Sequence, residues 1–569
     1  MTNNELISEL RAFMKREGLD CFIVCSTDEY LNEYIDLKQN PRYLLTGFSG
    51  STGDALVTED NVFLFVDGRY HIQADQEVNK DIVSVVKVGL SESPRQAMIN
   101  TIDELPVRTV GFVSTKMSYF SYKVFTDFDY KKDKIFREFN IDPVFKIAGV
   151  VEPDSNEPLR YIGTEISGLA PSEKLDILLK KIKKLKIDIF LVTRLEEIAY
   201  LTNLRGKEIN FSSSFKAKVI IKGEKCLVYT DLKKITPDIK EKFNSRFEFL
   251  SLDKFDKEFE NIDNCTLGLI PASMNLYNYR LAEKSKFVLL DTSPIADMKA
   301  VKNRAELEYM EECFRRSDIV ISRAISWLNQ GIEKGLKITE KDFSDRVREL
   351  FFEEGACGLS FEVLAASGKN SAIIHYTNPD PEKIIQAGDL VLLDCGAYYD
   401  GGYATDTTRT FLAKNKDTKA DSQTKKVYTT ILKAFLHGLN YPLKEDVSGY
   451  DIDKIVRDIL SDFDESFSFP HGTGHGVGLS VHESPPSLSP AEIAKKPLKT
   501  GMCFSIEPGL YKNRWGGVRL ENTVTLAEED GKLVINCLTK SKFDENLIDY
   551  DILDNQEKTW LKEYQRMAL

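Results

Sequence analysis

Residues 390–412 read LVLLDCGAYYDGGYATDTTRTFL. LVLLD is a continuous apolar run that ends on a charge, the pattern of a buried strand. Asp400-Gly401 is a turn signal. Residue 400 is the midpoint between Asp394 and Asp406, so a hairpin about that turn is expected to bring the two aspartates roughly opposite each other. Like charges facing across a ladder are destabilising unless something neutralises them. Asp394 also ends an apolar run, where an unpaired charge is costly. On its own the segment fits either hydrogen-bonded turn aspartates or a metal site.

The pattern recurs in CFSIEPGLYKNRWGGVRLENTVTL, residues 503–526. Glu507 and Glu521 lie about a midpoint at Arg514, inside the turn-like Asn513–Gly517. On the returning strand Leu520, Asn522, Val524 and Leu526 share one face, and Arg519 and Glu521 the other. Arg519 is placed to support a carboxylate from behind the site. Two hairpins with the same arrangement weigh against ordinary turn aspartates.

Between the hairpins lies FPHGTGHGVGLSVHESPP, residues 469–486. His471 and His475 are four apart, but Gly472, Gly474 and Gly476 argue against a stable helix. HExxH is absent, as is a P-loop GK[ST], so neither a zincin nor a phosphate loop is expected. Glycines beside histidines permit close backbone approach to a site. Three of the chain's six histidines fall in the twelve positions 471–482, which disfavours purely structural roles. Four carboxylates and one imidazole carry −4, matched by two divalent cations. Oxygen-rich ligation with a single nitrogen favours Mn²⁺, with Co²⁺, Fe²⁺ or Zn²⁺ behind it. Such a pair activates water and hydrolyses polarised bonds, in peptides or phosphates.

The rest of the chain supplies context. Its 569 residues exceed what one core holds. An apolar fraction of 42% beside 29% charged excludes wholesale disorder. The net charge of −13 disfavours a nucleic-acid partner. No uncharged apolar stretch approaches the ~18–20 residues of a membrane span, and the N-terminus lacks the h-region of a signal peptide. Nine cysteines without a CxxC pair read as free thiols of a reducing cytoplasm.

The first half repeats itself. ELISELRAFMKREGLDCFIV (5–24) and EKLDILLKKIKKLKIDIFLV (173–192) each read as an amphipathic helix leading into a strand. NVFLFVDGRY (61–70) and EKCLVYTDL (224–232) are strand-like in both copies. Two related α/β domains are expected, with Pro143, Pro153 and Pro158 between them. KKIKKLK (180–186) is read as a solvated helix face. A charged helix is expected over 301–330 and another over 555–567. GFSGSTG (47–53) fails the nucleophile-elbow pattern and is read as a turn. His71 and His437 are read as structural, and Cys395 as a packed thiol.

LLDCGAYYDGGYATDTTRT, HGTGHGVG, VHESP, SIEPGLY and GVRLENTV resemble the pita-bread metallopeptidases, and among them the Xaa-Pro aminopeptidase P family. SAIIHYTNP (371–379) matches that family's segment ahead of the first aspartate, and both N-terminal copies resemble its long three-domain form. The resemblance covers nearly the whole chain. The Asp394–Asp406 spacing is one residue longer than in some relatives. The implied fold is α/β and α+β: two creatinase-like N-terminal α/β domains, 1–160 and 161–297, then a pita-bread catalytic domain over 298–569. The implied metal ligands are Asp394, Asp406, His475, Glu507 and Glu521, with Asp406 and Glu521 bridging two ions. The implied activity is hydrolysis of an N-terminal Xaa-Pro bond by a dimetal-bridging hydroxide, with Glu507 shuttling its proton. His375, His471 and His482 would bind substrate or stabilise the oxyanion. A cytoplasmic homodimer acting on proline-containing peptides is expected. The alternatives are a prolidase and, further off, a metal-free binding protein of the same fold. A methionine aminopeptidase is disfavoured by the large N-terminal half.

Overall fold

The computed structural model describes residues 1–151 and 155–568, so Pro153 lies outside the described residues. The chain divides into two compact units. Met1–Tyr161, Leu169–Asn210 and Ser214–Ile295 form one; Ile162–Gly168, Phe211–Ser213 and Ala296–Leu569 form the other.

The first unit contains the repeat. Helix Asn3–Glu17 leads into strand Cys21–Val24, and helix Pro171–Lys184 into strand Ile189–Val192. In both copies the apolar residues at three- and four-residue steps are buried: Leu6, Ile7, Leu10 and Met14 in one, Leu175, Leu178 and Ile182 in the other. The strand after each helix lies third from one end of a six-stranded mixed sheet, between an antiparallel and a parallel neighbour. The two sheets have the same strand order, so the repeat extends from sequence to topology. They are joined by equivalent elements. Ser118 and Asn275, each capping a short helix, form a β-bridge, and Tyr119 stacks on Tyr279 at 3.8 Å between ring centroids. Lys180, Lys183, Lys184 and Lys186 are exposed, a solvated face as expected.

The second unit places a helix pair behind each carboxylate hairpin. Helices Arg304–Glu333 and Glu340–Glu353 pack on the sheet that holds strands Leu390–Cys395 and Thr407–Leu412. Helices Ser422–Leu439 and Gly449–Ser461 pack on the five-stranded sheet that holds Cys503–Ile506 and Asn522–Glu529. Strand alternation then sorts the side chains. Val391, Leu393 and Cys395 join the first helix pair, which turns Asp394 to the other face. Phe504, Ile506, Leu520, Val524 and Leu526 join the second pair, which turns Glu507 and Glu521 away. Helix Asn555–Met567 closes the chain over the span expected.

The first hairpin departs from expectation in register. Asp394 pairs with Thr408 and Cys395 with Thr407, so Asp406 is not opposite Asp394 but two residues along the same face. The turn closes from the Gly402 N–H to the Tyr399 carbonyl at 2.8 Å, with Gly402 at φ +75°. A left-handed residue after the turn lengthens the returning arm, and the ladder shifts accordingly. The second hairpin keeps its expected axis. The registers Ile506↔Asn522 and Gly509↔Arg519 are both centred on Arg514, which itself has φ +68°.

Candidate metal centre

Four carboxyl side chains and His475 are gathered inside the second unit. Asp406, His475 and Glu521 each offer a ligand atom within 4.8 Å of the others. His475 Nε2 lies 3.5 Å from Asp406 Oδ2 and 3.3 Å from Glu507 Oε1. Asp394 and Glu521 are linked through two intermediaries. Arg519 Nη2 donates to Asp394 Oδ2 at 2.5 Å and its Nε to Thr408 Oγ1 at 3.0 Å, while Thr408 Oγ1 donates to Glu521 Oε2 at 2.7 Å.

Local sequence explains these positions. Glu507 and Glu521 fall opposite each other in register, yet their backbone N–H groups leave the ladder. Glu507 donates to Thr473 O at 2.8 Å and Glu521 to Thr408 O at 3.1 Å. The hairpin therefore opens at the glutamates and joins the histidine segment on one side and the first hairpin on the other. His475 sits in the short strand Gly474–Gly476, with its N–H on Ser505 Oγ at 3.1 Å. A Cβ at Gly474 would meet Ser505 O at 1.9 Å, so only glycine allows this approach. Asp453 on helix Gly449–Ser461 accepts from the Thr473 N–H and hydroxyl and pairs with Arg457, which donates to His471 O at 2.8 Å.

The electrostatics suit a cation. Asp394, Asp406 and Glu521 are buried, and burial together with their neighbours' negative charge pushes their carboxyls upward, Glu521 to about 8. Asp394 has Arg519 in contact, but its Oδ1 is buried without a hydrogen-bond donor among the described residues. Glu507 moves the other way. Burial opposes ionisation, but the His475 hydrogen bond and the His471, His475 and Arg519 charges hold it well below the ordinary range. His475 is disfavoured as a cation by burial, yet the Glu507 hydrogen bond and the Glu507 and Glu521 charges raise it to about 9. A hard donor set with one imidazole, an orphaned oxygen and too little positive charge suits divalent cations, which would stabilise all the ionised carboxylates.

The remaining histidines surround this cluster. His471 Nδ1 is 3.8 Å from Glu507 Oε2, and its Nε2 is 2.9 Å from the Tyr511 hydroxyl. Burial lowers its pKa to about 4. The His482 ring is edge-on to His475 at 4.4 Å between centroids. Its neighbour Glu483 is buried and pairs with Lys299 at 2.8 Å and Lys302 at 3.2 Å. His375 follows Ile374, whose carbonyl is 3.5 Å from Arg519 Nη2. Tyr511 was not singled out from sequence, although it shares strand parity with Glu507 and its hydroxyl also accepts from Arg519 Nη1 at 2.8 Å. Thr408 follows Asp406 by the same two-residue rule. His71 and His437 lie apart, bonded to Val88 O at 3.0 Å and Glu557 at 2.9 Å, and all nine cysteines are free. Ser51 in the 47–53 turn hydrogen-bonds Glu33 and Tyr70.

The chain is similar to known proteins along its whole length. Residues 308–528 match metallopeptidase family M24, and residues 7–129 and 151–306 match creatinase/prolidase N-terminal domains. A probable Xaa-Pro aminopeptidase P of Laccaria bicolor is 30% identical across 99% of this chain and 89% of its own length. The crystal structure of X-prolyl aminopeptidase from Caenorhabditis elegans, described as a cytosolic enzyme with a di-nuclear active site, superposes with a TM-score of 0.91. It is 25% identical and spans 100% of this chain and 95% of its own. A prolidase from Pyrococcus horikoshii, 27% identical, reaches a TM-score of 0.54 and covers 65% of this chain with 99% of itself. With two creatinase-type N-terminal domains ahead of a pita-bread domain, the chain belongs to the Xaa-Pro aminopeptidase P family of M24 metallopeptidases.

Proposed function

We propose that Asp394, Asp406, His475, Glu507 and Glu521 hold two divalent ions, Mn²⁺ ahead of Co²⁺, Zn²⁺ or Fe²⁺, and that this site removes the first residue of peptides with proline second. The observation that carries the ligand set is the convergence of buried carboxyls around His475 with Asp394 Oδ1 left without a donor. When bound, the ions supply Lewis acidity and a water that is nucleophilic at neutral pH. Glu507, whose Oε1 lies 3.3 Å from His475 Nε2, is the carboxylate that would take a proton and return it to the departing proline nitrogen. His471 stays neutral at physiological pH, and the Tyr511 hydroxyl holds its Nε2. With His375 and His482 it is assigned to binding the substrate and the developing oxyanion. A bond preceding proline has no N–H, so this site needs no acceptor for one.

The long N-terminal half supports the aminopeptidase over the prolidase, whose structural relative lacks about a third of this chain. The three family spans, 7–129, 151–306 and 308–528, support three domains, whose limits are proposed at 1–160, 161–297 and 298–569. A cytoplasmic location is supported by the cytosolic Caenorhabditis enzyme, and no described helix is long and apolar enough to cross a membrane. A homodimer is proposed from family membership alone.

The test is hydrolysis by metal-stripped protein with Mn²⁺ added back, on Arg-Pro-Pro, Ala-Pro and Ala-Ala-Ala. Metal-dependent release of Arg from the tripeptide with little dipeptide cleavage is expected. Preferential cleavage of Ala-Pro would move the assignment to prolidase. Bound Mn²⁺ with no cleavage would leave the ligands and refute the substrate class.

A further inference from the structure

The segment carrying His375 closes around one buried side chain outside the metal cluster. Strand Leu364–Ser367 ends at Ser367, and the chain returns beside Ile338–Glu340, with Glu340 N on Lys383 O at 2.9 Å and Ile385 N on Ile338 O at 2.8 Å. Inside this excursion lies Glu340, 0% exposed and the first residue of helix Glu340–Glu353. Its Oε1 accepts from the Ser367 N–H at 2.6 Å and the Ser367 hydroxyl at 2.8 Å. Its Oε2 accepts from the Tyr376 hydroxyl at 2.7 Å, Asn370 Nδ2 at 3.0 Å and the Asp380 N–H at 3.4 Å. The donors are spread from the start of the excursion to near its end, on both sides of His375. None of these donors is a cation. Charge-assisted bonds and the field of the carboxylate's own helix offset its burial.

The other side of the excursion rests on the second hairpin. Ser371 Oγ accepts from the Gly517 N–H at 2.8 Å, and a Cβ at Gly517 would meet Ser371 O at 2.3 Å. Two positions further along that strand, Arg519 reaches the Ile374 carbonyl and pairs with Asp394. The excursion is thus held between Glu340 and the hairpin that carries Glu507 and Glu521.

We propose that Glu340 is a positioning residue of the reaction: by tying Ser367, Asn370, Tyr376 and Asp380 to one carboxylate, it sets where His375 stands toward the bound peptide. The proposal rests on the assignment of His375 to substrate binding made above. Glu340→Gln tests it, because an amide nitrogen cannot accept, and whichever oxygen it replaces, two or three donors lose their acceptor.

The full-length wild type, Glu340→Gln, His375→Ala and the double variant are compared in two ways. Hydrogen exchange is followed by mass spectrometry on the metal-free proteins. Arg-Pro-Pro hydrolysis is measured after Mn²⁺ is restored and bound Mn²⁺ is quantified. The expected exchange result is faster labelling of peptides within 367–383 in Glu340→Gln, with 503–526 unchanged. The expected kinetic result is a fall in kcat/KM of about 10–100-fold at unchanged Mn²⁺ content, and less than about threefold further loss when the change is added to His375→Ala. Wild-type exchange across 367–383 would overturn the proposal, and so would full additivity with His375→Ala. Should Glu340→Gln fail to fold, Tyr376→Phe removes a single donor, and the same two readouts apply with smaller changes. A wild type inactive on Xaa-Pro peptides would refute the functional reading, while the exchange comparison still judges Glu340.

Discussion

The two carboxylate hairpins solve one problem in different ways. In the second, Glu507 and Glu521 fall opposite each other, and the ladder opens there, each backbone N–H going to another segment. In the first, the ladder runs unbroken past Asp394, and the longer turn moves Asp406 diagonally along the face. Thr408 takes the place opposite Asp394 and, with Arg519, bridges the two hairpins. Like charges are thus kept together either by releasing the backbone or by sliding the register, and Arg519 from the second hairpin compensates the first.

The largest effect expected concerns the opened pair. Glu507→Gln should lower kcat on Arg-Pro-Pro by about 10²–10⁴-fold while circular dichroism and melting stay those of the wild type; activity close to wild type would remove Glu507 from the proton path. Next comes the bridge. Arg519→Met should weaken Mn²⁺ binding by about 10–100-fold, read by competition with a fluorescent chelator. Unchanged affinity would mean that the hairpins hold their ligands independently.

The segment bearing His475 and His482 is tied down by the buried Glu483 between Lys299 and Lys302. Burial alone would raise the Glu483 pKa, but the two lysines bring it from 4.5 to about 2. A depressed carboxyl contributes stability above its unfolded pKa and loses it as pH falls. The metal-free protein should therefore lose about 3 kcal/mol from this group between pH 4.5 and pH 2. Glu483→Gln should lack that component in denaturant titrations, and an identical pH slope in both proteins would contradict it. The smallest effect separates the turns. Gly402→Ala, at φ +75°, should cost about 1 kcal/mol, whereas Arg514→Gly, at an exposed φ of +68°, should change stability by under about 0.5 kcal/mol. Equal costs would mean that the two turns are not under different constraint.

Much of this was legible because periodicity survives without a partner. The helix-to-strand repeat is written in burial steps of three and four residues, and Leu520, Val524 and Leu526 pack together as their parity demands. The Arg514 axis follows from counting, since a hairpin symmetric about its turn pairs residues equidistant from it. The same counting failed by two residues in the first hairpin, because the left-handed Gly402 lengthens one arm and a symmetric count cannot register that. Tyr511 and Thr408 shared strand parity with Glu507 and Asp406, but parity names a face and not a bond. The partners that single out Glu340 and Glu483 lie up to 40 and 184 residues away in sequence, beyond the reach of a local pattern.

Sequence alone therefore determined the residue types, the helix-to-strand repeat, the two carboxylate hairpins and the family to which they belong. Those depend on short-range patterning and on the chemistry of individual side chains. Tertiary structure decided which carboxylates stand opposite, which stand diagonal, and which buried charges hold the histidine segments. Those are long-range pairings, set by backbone register and by the need of every buried charge for a donor or a counter-ion.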